Sequence, residues 1–196
     1  MSSTLLDTQL AETQPTVETN SNGIVAGKRL LITGVLTESS IAFSVARLAQ
    51  EQGADIVLTS PPRTVSLTRR IAARLPKPVE VLALDVTDDA DLDSLDQRVG
   101  EHLEQVDGIL HAIGFAPASA LGGGFMTAPW ADVATAMHVS TYSLVSLTRA
   151  LAPSLAPNAS VVGLDFDASV AWPSYDWMGV AKAALESASR YLAKEL

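Results

Sequence analysis

Five short apolar runs, separated by longer stretches with helical spacing, constrain this chain more than any other feature. The runs are RLLIT (29–33), IVLT (56–59), VEVLAL (79–84), GILHA (108–112) and SVVGL (160–164). Each is too short for a stable helix and apolar at neighbouring positions, as expected of parallel strands covered on both faces. Helical patterns fall between and after them, at 41–52, 65–75, 89–104, 129–152 and 175–196. Gly53 and Pro76 close the first two, Asp88-Asp89 opens the third and Pro129 stands at the start of the fourth. Strand, helix and strand in repeated succession imply an α/β fold. The expected form is a Rossmann-like, doubly wound parallel sheet with helices on both faces, and with sites beyond the carboxyl ends of the strands.

The segment ahead of Gly27 reads differently. Residues 1–26 are rich in Thr, Ser, Glu and Asn, too polar to offset the entropy of ordering, and are expected to form a flexible leader. Residues 27–196 are expected to form a single domain. Net charge is −9 with four lysines in all, which argues against a nucleic-acid partner or an anionic membrane surface. No apolar run reaches the roughly 18 residues of a membrane span, and the first twenty residues hold no Lys or Arg, unlike a signal or transit peptide. The lack of cysteine excludes disulfides and thiolate chemistry and fits a cytoplasmic location. His102, His111 and His138 lack partners at ligand spacing, so no metal site is expected, and His111 reads as a packed core residue.

The turn after the first strand is Gly34-Val35-Leu36-Thr37-Glu38-Ser39-Ser40-Ile41-Ala42. In a doubly wound fold this turn faces a cofactor pyrophosphate, where a helix N-terminus offers free amides and partial positive charge. Gly34 permits the turn, and Ala42 permits close approach. Thr37, Ser39 and Ser40 serve either as phosphate ligands or as ordinary helix caps. The second strand ends without a carboxylate for a ribose 2′-hydroxyl, and Arg63 beyond it is either a 2′-phosphate contact or a solvated loop arginine. Asp85-Val86 ends the third strand. There the carboxyl either meets an adenine edge or caps the next turn.

The strongest chemical signal is the pair Tyr175 and Lys182, seven residues apart. At about 3.6 residues per turn they share a helix face, so that a phenol and an ammonium can converge on one pocket. Lys182 sits in Val-Ala-Lys-Ala-Ala, where its ammonium can reach a cofactor ribose and favour a polarised phenol. The competing reading is a core-edge tyrosine beside a snorkelling lysine. Trp130, Trp172 and Trp177 read as packing or as pocket lining, and Gly122-Gly123-Gly124 as a mobile loop near the site.

These blocks together resemble the NADH-dependent enoyl-(acyl carrier protein) reductases, a divergent branch of the short-chain dehydrogenases/reductases, in its actinobacterial form. The resemblance runs from Gly27 to the last residue. It rests on TGVLTESSIAFSVARLAQEQGADIVLT, LALDV, DGILHAIGFAP, ADVATAMHVSTYS and VVGLDFDASVAWPSYDWMGVAKAALES. Tyr-x6-Lys separates this branch from relatives with Tyr-x3-Lys; here the fourth position after Tyr175 is Gly179. The resemblance implies that Gly34, Ser40 and Ile41 hold the pyrophosphate of NADH. It sets Asp85 and Val86 at the adenine, Ile113 and Gly114 along the ribose and nicotinamide, and Lys182 on the nicotinamide ribose. Tyr175 would donate to the thioester oxygen, with Phe166 beside the transferred hydride and Phe115 and Met178 on the substrate side. The implied reaction is reduction of the trans-2 double bond of an enoyl thioester in fatty acid biosynthesis, the mycolic acid type included. The implied partners are an acyl carrier protein and, for a full-length chain, three further copies in a homotetramer.

Two other readings stand beside it: a reductase of another carbonyl or enoyl compound on the same scaffold, and an inactive fragment that at most binds dinucleotide. The second arises because family members continue past this point with further strands and a segment that closes over the substrate, whereas this chain stops after the fifth βα unit. On that reading SVVGL is an edge strand with an uncovered apolar face, and turnover by the chain alone is expected to be weak.

Overall fold

The computed structural model describes residues 23–196; the expected leader lies almost wholly outside them. Strands β1 (Arg29–Thr33), β2 (Asp55–Ser60), β3 (Glu80–Ala83), β4 (Val106–His111) and β5 (Leu155–Gly163) form one parallel sheet in the order β3-β2-β1-β4-β5. Consecutive side chains of β1 go to opposite faces. Ile32 joins Phe43, Ala46, Leu58 and Val81 in one core, and Leu31 joins Val57, Leu95, Ile109 and Leu147 in the other. That two-sided burial is why the strand sequences are continuously apolar rather than alternating.

Helix α1 (Ile41–Glu51) and α2 (Val65–Ala72) cover the first face; α3 (Asp89–Asp93), α4 (Leu95–Gly100) and α6 (Ser143–Leu151) cover the second. The Ser40 hydroxyl accepts from the Phe43 amide and so caps α1. Buried Gln50 near its other end pins the loop before β3 by bonding both the amide and the carbonyl of Lys77.

The expected helix at 89–104 is two short helices. Ser94 stands at the junction with its hydroxyl donating to the Ala90 and Asp91 carbonyls, which competes with a continuous ladder. The expected helix at 129–152 is α5 (Trp130–Met137) and α6 joined by a π-helical turn, His138–Tyr142. The last helix, α7 (Asp176–Glu195), begins one residue later than expected, so Tyr175 is its N-cap residue and not part of it. Strand β5 starts earlier than expected. Its register against β4 shifts between Val106 and Gly108, near Asn158, which has φ 64°. It is an edge strand as expected, with Val162 half exposed. No helix among the described residues is long and apolar enough to cross a membrane.

Candidate active site

The strand order reverses between β1 and β4, and the space beyond their carboxyl ends is a cleft of about 300 Å³. Gly34, Leu36, Ser60, Arg63, Asp85, Val86, Thr87, Ile113, Gly114 and Phe115 are among the residues lining it. Gly34 is obligatory in two ways. Its φ is +80°, and a Cβ there would stand 2.1 Å from the Ala112 carbonyl oxygen. The close approach is fixed by Thr33, whose buried hydroxyl donates to the Leu110 carbonyl and accepts from the Ala112 amide. Backbone thus reaches the cleft where a side chain would fill it.

Asp85 lines the cleft and also closes a turn. The Thr87 hydroxyl and amide both donate to its Oδ1 and hold the carboxyl below the usual aspartate range. The turn-capping alternative for Asp85 is thus observed, with one oxygen committed to the turn while the residue stays at the cleft wall. Arg63 reaches across the mouth, its guanidinium 5.8 Å from the centre of the Phe115 ring. Ser40 and Ile41 lie outside the lining. Ser40 is the cap of α1, and Ile41 is exposed at its first turn, where the opening amides of a helix have no intrahelical partner.

The loop after β4 is held from behind. Buried Ser140 accepts from the Phe115 amide and donates to the Phe115 carbonyl, both at 2.9 Å. His111 at the end of β4 is fully buried, with Nε2 2.7 Å from the Ser143 hydroxyl. Because that hydroxyl donates to the Val139 carbonyl, it accepts from His111, which fixes the proton on Nε2. Burial lowers the His111 pKa to about 4, with the Lys182 charge acting in the same direction, so the ring is neutral.

Lys182 is buried in α7. Its ammonium donates to the Leu164 carbonyl at 2.7 Å and lies 3.9 Å from where a Cβ on Gly114 would be. Burial lowers its pKa, with the Asp165 carboxylate opposing the shift. Among the described residues no carboxylate lies within ion-pair distance of this ammonium. Three donors and one protein acceptor leave two N–H groups beside the cleft wall.

Tyr175 is half exposed, and its ring packs against Phe166 with centroids 4.5 Å apart. It borders a second, apolar trough of about 400 Å³, with Phe125, Trp172 and Val180. Met178 packs instead with Ala116, Ala120 and Ala136. Phe115 is exposed at the cleft. The tryptophans divide. Trp177 stacks on Phe125 and donates to its carbonyl, Trp172 lines the trough, and Trp130 is exposed. The triple glycine is tethered, because Asp176 Oδ2 accepts from the Gly123 and Gly124 amides at 2.6 and 3.0 Å. Sequence reasoning missed Thr33, Ser140, Thr141 and Ser143. Their hydroxyls bond groups far away in sequence, backbone for Thr33, Ser140 and Thr141 and the His111 ring for Ser143, and no local pattern announces that.

The donor set suits a dinucleotide: a glycine cradle, a helix N-terminus nearby, a cleft of about 300 Å³ with a carboxyl at its wall, and spare ammonium protons. Comparison with known proteins agrees with this geometry. A family model described as enoyl-(acyl carrier protein) reductase matches residues 34–196. The NADH enoyl-(acyl carrier protein) reductase of Mycolicibacterium smegmatis is 46% identical over 177 residues, covering 88% of this chain and 65% of the relative. The corresponding Mycobacterium avium enzyme is 46% identical over 176 residues with the same coverage, and that of Neisseria meningitidis is 36% identical over 175. The chain thus spans about 65% of the length of the two mycobacterial relatives.

Proposed function

This chain belongs to the enoyl-(acyl carrier protein) reductase family, and from that premise we propose that it reduces the trans-2 double bond of an enoyl thioester borne by acyl carrier protein, with NADH as the reductant. The observation that carries the reading is Lys182, a buried ammonium with spare donors beside Gly114, a residue of the glycine-cradled cleft. When bound, NADH supplies the hydride that adds to the β-carbon. Charge then gathers on the thioester oxygen, and stabilising it calls for a donor in place before reaction. Tyr175 is that donor, its ring steadied by Phe166 beside the hydride path.

The other roles follow the family resemblance. Gly34 and the first turn of α1 at Ser40 and Ile41 hold the pyrophosphate, and Asp85 and Val86 flank the adenine. Ile113 and Gly114 lie along the nicotinamide and its ribose, Lys182 donates to that ribose, and Phe115 faces the acyl group, while Met178, packed on Ala116, backs the loop that carries Phe115. The reductase domain is taken as 27–196, and fatty acid synthesis in the cytoplasm as its setting. An exposed apolar groove between α6 and α7, lined by Met137, Tyr142, Val145 and Ala188, supports a homotetrameric form.

The test separates the two central residues. With NADH and a trans-2-enoyl thioester, Tyr175→Phe is expected to lower turnover about 100-fold relative to the unsubstituted chain, as for loss of one oxyanion donor, with NADH affinity little changed. Lys182→Ala is expected to weaken NADH binding about tenfold in a fluorescence titration. Equal loss of NADH affinity in both variants contradicts this division of roles.

A further inference from the structure

The π-helical turn between α5 and α6 takes no part in the proposed chemistry, yet it packs against α7, which carries Lys182, and bonds the loop at Phe115 beside Gly114. A π turn holds an extra residue and rotates the helix beyond it. Before it the buried positions are Val133 and Ala136, and after it Leu144, Leu147 and Leu151. In and just after the turn, three buried hydroxyls fan out to three places. Ser140 clamps Phe115 and Ser143 receives the His111 proton, while Thr141 donates to the Ala181 carbonyl of α7 at 2.6 Å.

Ala181 immediately precedes Lys182. Its carbonyl sits mid-helix, where the α7 ladder already supplies a donor, so the Thr141 bond ties one helix to another without rescuing an orphaned group. A valine would occupy the same volume. The hydroxyl therefore contributes direction: it fixes where the 181–182 peptide lies relative to the π turn, and Ser140 fixes the Gly114–Phe115 loop to the same turn. Lys182 spans the gap between these anchors, with its ammonium on Leu164 and beside Gly114.

We propose that Thr141 is a positioning residue for Lys182, holding α7 so that the ammonium stands between the Leu164 carbonyl and Gly114. The proposal rests on the reductase reading only for what Lys182 then binds, the nicotinamide ribose; the placement itself is a property of the free chain. Thr141→Val, Thr141→Ala and Thr141→Ser are compared with the unsubstituted chain by two readouts. The first is the acetylation rate of Lys182 relative to exposed Lys194 of the same helix, measured by peptide mass spectrometry without cofactor. The second is an NADH titration.

Thr141→Val and Thr141→Ala are expected to raise relative Lys182 acetylation about fivefold and to weaken NADH binding by a similar factor, the scale of one hydrogen bond, while Thr141→Ser restores both. Unchanged Lys182 reactivity in the valine and alanine variants overturns the proposal. So does a serine variant that behaves like them, or a loss of Tm that unfolds both at the assay temperature, which would make Thr141 a general stabiliser of the fold. If no chain binds NADH, the reductase reading fails, and the acetylation rates still decide the role of Thr141.

Discussion

The two sides of the site are built differently. On the β1–β2–β4 side the strands are buried through their length, β2 from Ile56 to Ser60 and β4 from Gly108 to His111, and hydroxyls of Thr33 and Ser140 lock the backbone around the cleft. On the β5–α7 side the strand alternates between partly and fully exposed positions, Tyr175 and Trp172 are half exposed, and Ser174 and Asp176 carry positive φ. The cleft proposed for the dinucleotide is thus fixed by register and packing. The wall that bears Tyr175 is fixed by a few polar tethers on a thin base. Local stability tracks buried contact density, so the first side is expected to persist under conditions that loosen the second.

The largest expected effect strikes the rigid side. Gly34→Ala puts a methyl on the Ala112 carbonyl at an unfavourable φ, and should cost on the order of 3 kcal/mol in urea unfolding and abolish NADH binding. A full-affinity Gly34→Ala chain would show that the cleft is less rigid than its geometry implies.

His111 gives a comparable effect through pH. Its folded pKa of about 4 lies below the ordinary 6.5 of the unfolded chain, so the unfolded state binds the proton more readily. The stability from its neutral burial is complete above 6.5 and is lost as pH falls toward 4, in all about 3 kcal/mol. Urea midpoints at about pH 7 and about pH 4.5 should show a steep decline that His111→Gln flattens. The smallest effect belongs to the looser side. Asp176→Ala frees the Gly123 and Gly124 amides at a part-exposed site and should cost about 1 kcal/mol while speeding proteolysis within 121–128. A cost equal to that of Gly34→Ala would erase the contrast between the two sides.

The rigid side was also the legible one. Continuous apolar runs such as RLLIT and IVLT mark strands buried on both faces, and β1 appears within the expected limits because its neighbours on each side are strands of the same kind. Gly34 and Asp85 have an address in the sequence, since each stands where a strand leads into a turn, and Ile113 and Gly114 are indicated by the family resemblance; all four line the cleft. The β5–α7 side was read less well. The register shift between Leu155 and Ser160 and the start of α7 after Tyr175 depend on tertiary fit, as does the π turn. Helical periodicity across 129–152 is continuous on either side of the inserted residue and so conceals it. The hydroxyls that place Phe115 and Lys182 reach 25 and 40 residues along the chain, a range at which spacing carries no signal.

The most direct test is hydrogen exchange of the chain with and without NADH, measured peptide by peptide. The expected result is slowed exchange strongest at 34–43, 84–87 and 111–116, with a smaller effect around 164–166 and 179–185 where Phe166 and Lys182 would meet the nicotinamide end, because the proposed cofactor cleft is already formed on the rigid side. Protection confined to 155–172, or none at 34–43, would contradict the assignment of this cleft to the dinucleotide.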